Sequence, residues 1–143
     1  MTPFDESSPA LAPDGKWLAY VSDESGRSDV YVQPYPGPGG KWAISEAGGA
    51  HPVWSPDGKE LFYREGERLM MVDVQLTPEF RASRPRQLLE WPQGSATSRN
   101  FDIAPDGRSF VMVRTDEGGG ARDQLRVVLN WLTDLATRQS GSR

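Results

Sequence analysis

Apolar residues come along this chain in short bursts, each closed by glycine, proline or charged positions. Trp17–Val21, Leu61–Tyr63 and Phe110–Val113 are uninterrupted apolar runs. They are too short for a buried helix and bounded by turn residues, which predicts strands covered on both faces. Polar loops with glycine follow at Ser22–Asp29, Arg64–Arg68 and Thr115–Gln124, and then further apolar stretches at Asp29–Gln33, Leu69–Gln75 and Leu125–Trp131. An outer strand fits Lys41–Ser45 and Arg86–Trp91, and Leu132–Arg143 reads as a polar tail. The pattern predicts about 11 strands in three four-stranded antiparallel units, the last incomplete. The units cover about residues 7–46, 50–92 and 98–132, with the tail at 133–143, in a single all-β domain.

The units are copies of one another. Each apolar run is preceded by a small residue, then Pro-Asp-Gly, then a basic residue: Ala12-Pro13-Asp14-Gly15-Lys16, Ser55-Pro56-Asp57-Gly58-Lys59 and Ala104-Pro105-Asp106-Gly107-Arg108. Asp14 and Asp57 lie 43 residues apart, and Asp57 and Asp106 lie 49 apart. A period of that size matches the blades of a β-propeller, with about four strands each. Turn chemistry accounts for the motif. Proline presets the backbone of a type I turn, aspartate bonds the following backbone, and glycine closes the hairpin in the left-handed conformation. The three aspartates are therefore hairpin formers rather than catalytic carboxylates.

Composition narrows the function classes. The 15 glycines and 12 prolines among 143 residues disfavour long helices. With 20 acidic against 16 basic side chains the formal charge is -4, which disfavours a nucleic-acid module. Cysteine is absent, so disulfides, thiolate catalysis and zinc–thiolate sites are excluded. No apolar run approaches the ~18 residues of a membrane span. The expectation is a soluble chain without membrane insertion, its compartment open between cytoplasm and periplasm.

The repeated turn, the Ser22-Asp23-Glu24-Ser25-Gly26 loop leading into Asp29-Val30-Tyr31-Val32, the stretch Pro34–Trp42 and the ending Val127–Trp131 resemble TolB-type, WD-repeat-like β-propellers. More narrowly, they resemble the C-terminal propeller of bacterial multidomain proteins, some linked to a serine/threonine kinase. The resemblance covers essentially Thr2 to about Leu135 and implies a six-bladed propeller that binds macromolecules or senses ligands. This chain holds three blades. Three blades leave apolar flanks uncovered, so the expected partner is a second copy, closing a six-bladed ring as a homodimer; the alternative is a fragment completed by its own polypeptide. A further partner would be a protein or peptide.

Candidate chemistry is sparse. His51 is the single histidine and no Gly-x-Ser-x-Gly elbow is present, so a Ser-His-Asp hydrolase is not supported. Gly37–Trp42 fails the phosphate-loop pattern, because Tyr35 stands where its first glycine belongs. Asp23, Glu24 and Asp29 lack calcium-loop spacing and read as a solvated hairpin loop. Aligned on the turns, Ser8, His51 and Asn100 fall at the start of each innermost strand, and Asp102 puts a charge where the other units have Ala10 and Val53. With Arg99 beside them, Ser8, His51, Arg99, Asn100 and Asp102 form the predicted ligand-binding set at the channel mouth. Trp17 and Trp54 are expected between blades, and Trp42, Trp91 and Trp131 nearer the rim. No catalytic residue, metal or cofactor is predicted. The reading is a non-enzymatic binding or scaffold module, the alternative a regulatory or sensor propeller of a larger kinase or prolyl-oligopeptidase-like enzyme.

Overall fold

A computed structural model of the chain describes residues 3–90, 100–114 and 124–129, and every regular element among them is a strand. The chain divides into two compact units, Met1–Gly94 and Ser95–Arg143. The first unit holds two antiparallel sheets. One contains β1 (Glu6–Leu11), β2 (Trp17–Ser22), β3 (Asp29–Pro34) and β4 (Trp42–Ala43), in that spatial order. The other contains β5 (Ala50–Trp54), β6 (Glu60–Glu65), β7 (Arg68–Gln75), β8 (Arg81–Ala82) and β9 (Arg86–Glu90). Here β7 is long enough to pair with β9 through Arg68–Met71 and with β8 through Val74 and Gln75. The second unit holds β10 (Phe101–Ile103), β11 (Ser109–Arg114) and β12 (Gln124–Leu129), again antiparallel and in chain order.

The three Pro-Asp-Gly turns are built alike. The amides of Gly15, Gly58 and Gly107 donate to the carbonyls of Ala12, Ser55 and Ala104 at 2.8, 2.9 and 2.9 Å. The carboxylates of Asp14, Asp57 and Asp106 accept from the amides of Lys16, Lys59 and Arg108 at 2.9, 3.0 and 2.8 Å. The glycines stand at φ of 70°, 72° and 68°, a region that other residues enter only at a conformational cost.

The core of the first unit lies between its two sheets. One sheet presents Ala19, Val21, Val30, Val32 and Ile44; the other answers with Trp54, Leu61, Tyr63, Met70 and Val72, and all are buried. Small side chains on one face admit large ones from the other, and each large aliphatic so buried contributes about 2 kcal/mol. The Trp54 indole donates across the gap to the Ala10 carbonyl at 2.9 Å.

Two details depart from the sequence reading. The strand β8 was not anticipated; it follows Phe80, whose ring packs at 5.1 Å from Trp17 and 4.7 Å from Trp42. Trp42 sits on the outermost strand, half-buried, and its ring also packs against the inter-sheet core. Trp91, Trp131 and the tail at 133–143 lie outside the described residues.

Candidate recognition surface

The innermost strands β1 and β5 share an irregularity. Their pairing registers shift between Ser7 and Ala10 and between Ala50 and Val53, so each strand carries a bulge. Ser8 and His51 occupy the bulges with φ of 52° and 53°, the left-handed region that side-chain-bearing residues avoid. Each is followed by proline, Pro9 or Pro52. Proline has no amide hydrogen to give to a ladder and restricts the residue before it. The Ser-Pro and His-Pro pairs thus interrupt the strand at the same point in both repeats. The two repeat-equivalent side chains meet, with Ser8 Oγ 3.4 Å from His51 Nδ1, and both are half-buried. Since β1 and β5 are edge strands, this pair stands where backbone groups are available to a ligand.

The rest of the predicted set is distributed differently. Asn100 is half-buried and Asp102 exposed, both in the second unit, where Asp102 Oδ1 accepts from the Ile103 amide at 2.9 Å. Arg99 lies outside the described residues.

At the opposite ends of these strands, the turns of the two sheets border an open cleft of about 680 Å3, lined by Pro13, Asp14, Asp57, Glu60, Asp73 and Leu76 among others. Its acidic groups are differently placed. Hydrogen bonds from the Ser55 hydroxyl and the Lys59 amide hold the Asp57 carboxyl below the usual range. Asp73 faces the Arg86 guanidinium at 3.2 Å. Burial, reinforced by the Asp57 and Asp73 charges, pushes the Glu60 carboxyl up.

Sequence reasoning missed Asp29. It is buried rather than solvated, and its oxygens accept from Ser25 Oγ (2.6 Å), Arg27 Nε (3.1 Å), Ser45 Oγ (2.7 Å) and the Gly48 amide (3.1 Å). Burial raises its pKa, but these hydrogen bonds outweigh burial and hold the carboxyl below its ordinary range. The other two carboxylates of that loop turn elsewhere, Asp23 to the Asp5 amide and Glu24 to Lys41. Among the described residues no three histidine, cysteine or carboxylate side chains are grouped to hold a metal ion, and no helix is long and apolar enough to cross a membrane.

Antiparallel sheets that each begin with a Pro-Asp-Gly hairpin, two of them packed face to face in the first unit, define a β-propeller segment. Solved structures place it more narrowly. TolB from Acinetobacter baumannii is similar at 25% identity and a TM-score of 0.61, over 88% of this chain and 30% of that one. A TolB-designated protein from Agrobacterium tumefaciens is similar at 19% identity and a TM-score of 0.53, over 90% of this chain and 59% of that one. A protein designated a 6-phosphogluconolactonase, from Bacteroides uniformis, shares the fold at 21% identity and a TM-score of 0.51, over 90% of this chain and 42% of that one. The fold is that of a TolB-type β-propeller fragment, and the chain spans less than two-thirds of each of these structures. None of the three is named as a kinase. Neither a protein-family model nor a curated protein matches the chain.

Proposed function

We propose that the chain is a non-enzymatic recognition module that takes a peptide or protein segment at the inner-strand edge around Ser8 and His51. The observation that carries this reading is the matched pair of left-handed, proline-followed residues on adjacent repeats, their side chains 3.4 Å apart. Each such backbone costs about 1–3 kcal/mol and persists only where surrounding structure imposes it, which is characteristic of binding sites. The chemistry suits a short polar segment. A hydroxyl and an imidazole supply adaptable donors and acceptors, and the edge strands add backbone groups. Pro9 and Pro52 deny the edge the continuous ladder a full added strand would need, so the ligand is a chain end or loop rather than a strand. The fold alone does not choose this function; the pair is what supports it.

The test is selection of displayed peptides against the whole chain, followed by affinity measurements. The selected peptides should lose about 5-fold or more in affinity when Ser8 or His51 is replaced by alanine. Binders indifferent to both replacements, or failure to select any, would remove the proposal.

A further inference from the structure

The cleft between the turns of the first unit's two sheets combines open volume, an apolar floor and unbalanced charge. Its floor forms where the two repeats abut. Gly58 is buried, and a methyl group there would lie 3.6 Å from both the Pro13 ring and the Leu76 side chain. Strand β7 lines one side, its Val74 amide donating to the Lys59 carbonyl at 2.8 Å. Above this floor about 680 Å3 stays open, ample for one long side chain.

The charge around the cleft is one-sided. Asp14, Asp57, Glu60 and Asp73 line it, against Lys59 alone. Three of these carboxylates are already engaged. Asp14 and Asp57 accept from the Lys16 and Lys59 amides, and Asp73 faces the Arg86 guanidinium at 3.2 Å. Glu60 differs. Strand register sets it directly opposite Asp73, like charge against like, a pairing that sheets disfavour. It is half-buried, and no hydrogen bond or ion pair reaches its carboxylate among the described residues. Burial first, then the Asp57 and Asp73 charges, outweigh Arg86 and Lys59 and push its carboxyl up. The ionised form therefore lacks a cation close enough to stabilise it.

An apolar floor beneath such a carboxylate suits a cation carried on an apolar stem. Arginine lays its methylenes along nonpolar surface and ends in a planar fork that a carboxylate accepts through both oxygens. A metal ion suits the cleft less, because among the described residues no three ligating side chains are grouped to hold one.

We propose that this cleft is a second binding site, which takes an arginine side chain of a basic peptide segment. The stem lies over Pro13 and Leu76, and the guanidinium meets Glu60. The site uses neither Ser8 nor His51, so it stands or falls apart from the recognition reading.

The experiment is an NMR titration of the whole chain with the capped peptide acetyl-Gly-Arg-Gly-amide and with its uncharged citrulline counterpart. The arginine peptide should shift the Gly58, Glu60 and Leu76 amides saturably, and the citrulline peptide should bind about 5-fold or more weakly. Glu60→Gln keeps the side-chain shape and removes the like-charge pair, so the melting temperature should hold or rise. It should weaken the arginine peptide about 5-fold. Glu67→Gln makes the same charge change on the exposed β6–β7 hairpin and should alter affinity by less than about 2-fold. Ser8→Ala and His51→Ala should leave it unchanged. If Glu60→Gln fails to fold, the shifted amides and the citrulline comparison decide. No saturable shift at those amides, equal affinity for citrulline, equal losses from Glu60→Gln and Glu67→Gln, or weakening by Ser8→Ala or His51→Ala would each overturn the proposal.

Discussion

The carboxylate of Asp29 accepts from Ser25 and Arg27 through one oxygen and from Ser45 and the Gly48 amide through the other. Ser45 Oγ in turn accepts from the Val30 amide at 2.9 Å. One buried side chain thereby ties the β2–β3 loop to the connection between the two sheets of the first unit. Its removal takes the acceptor from buried Ser45 and from the half-buried Gly48 amide, and a buried polar group left unpaired costs about 1–3 kcal/mol. Asp29→Ala should therefore lower unfolding stability by about 3 kcal/mol, and Asp29→Asn by less, as measured by urea denaturation. The pH dependence follows from the lowered folded pKa. The unfolded chain takes up the proton first as pH falls, so the Asp29 contribution is complete above the ordinary carboxylate value of about 4. It disappears as pH drops through the folded value. The stability difference between wild type and Asp29→Asn should shrink over that acid range; a gap constant with pH would contradict the account.

Between elements, the connection from β4 to β5 passes through Gly49, whose amide donates to the Ser28 carbonyl at 2.9 Å. A methyl group there would lie 2.9 Å from both the Tyr63 ring and Val30 and 3.1 Å from Ser45. Gly49→Ala should cost about 1–3 kcal/mol through overpacking and lower the melting temperature; an unchanged melting temperature would mean that the sheets sit further apart. The hairpins were legible because Pro-Asp-Gly is local: proline, aspartate and glycine act within a few residues. So were the second and third strands, whose apolar runs report burial directly. The short strand β8 was not legible, because Arg81 and Ala82 carry no β pattern and pair only where β7 extends past β9. Asp29 was misread for a related reason. A carboxylate between Ser28 and Val30 looks solvated until Ser45 and Gly48, distant in sequence, are brought to it. The left-handed backbones of Ser8 and His51 had one local signal, the proline that follows each, but their meeting depends on two repeats lying side by side.

For the whole molecule, the central physical claim is that the repeats of the first unit pack sheet face on sheet face, small side chains against large. Parity along the strands enforces this: Ala19 and Val21 face one way, Leu18 and Tyr20 the other, and a slip of one residue would exchange them. The recognition edge presupposes that arrangement, because it brings Ser8 to His51. Nuclear Overhauser spectroscopy tests it most directly. The account predicts cross-peaks from the Trp54 indole proton to Ala10, across the 2.9 Å hydrogen bond, and from the Phe80 ring to those of Trp17 and Trp42. Cross-peaks confined within each sheet, with Trp54 and Phe80 showing none to the first, would contradict it.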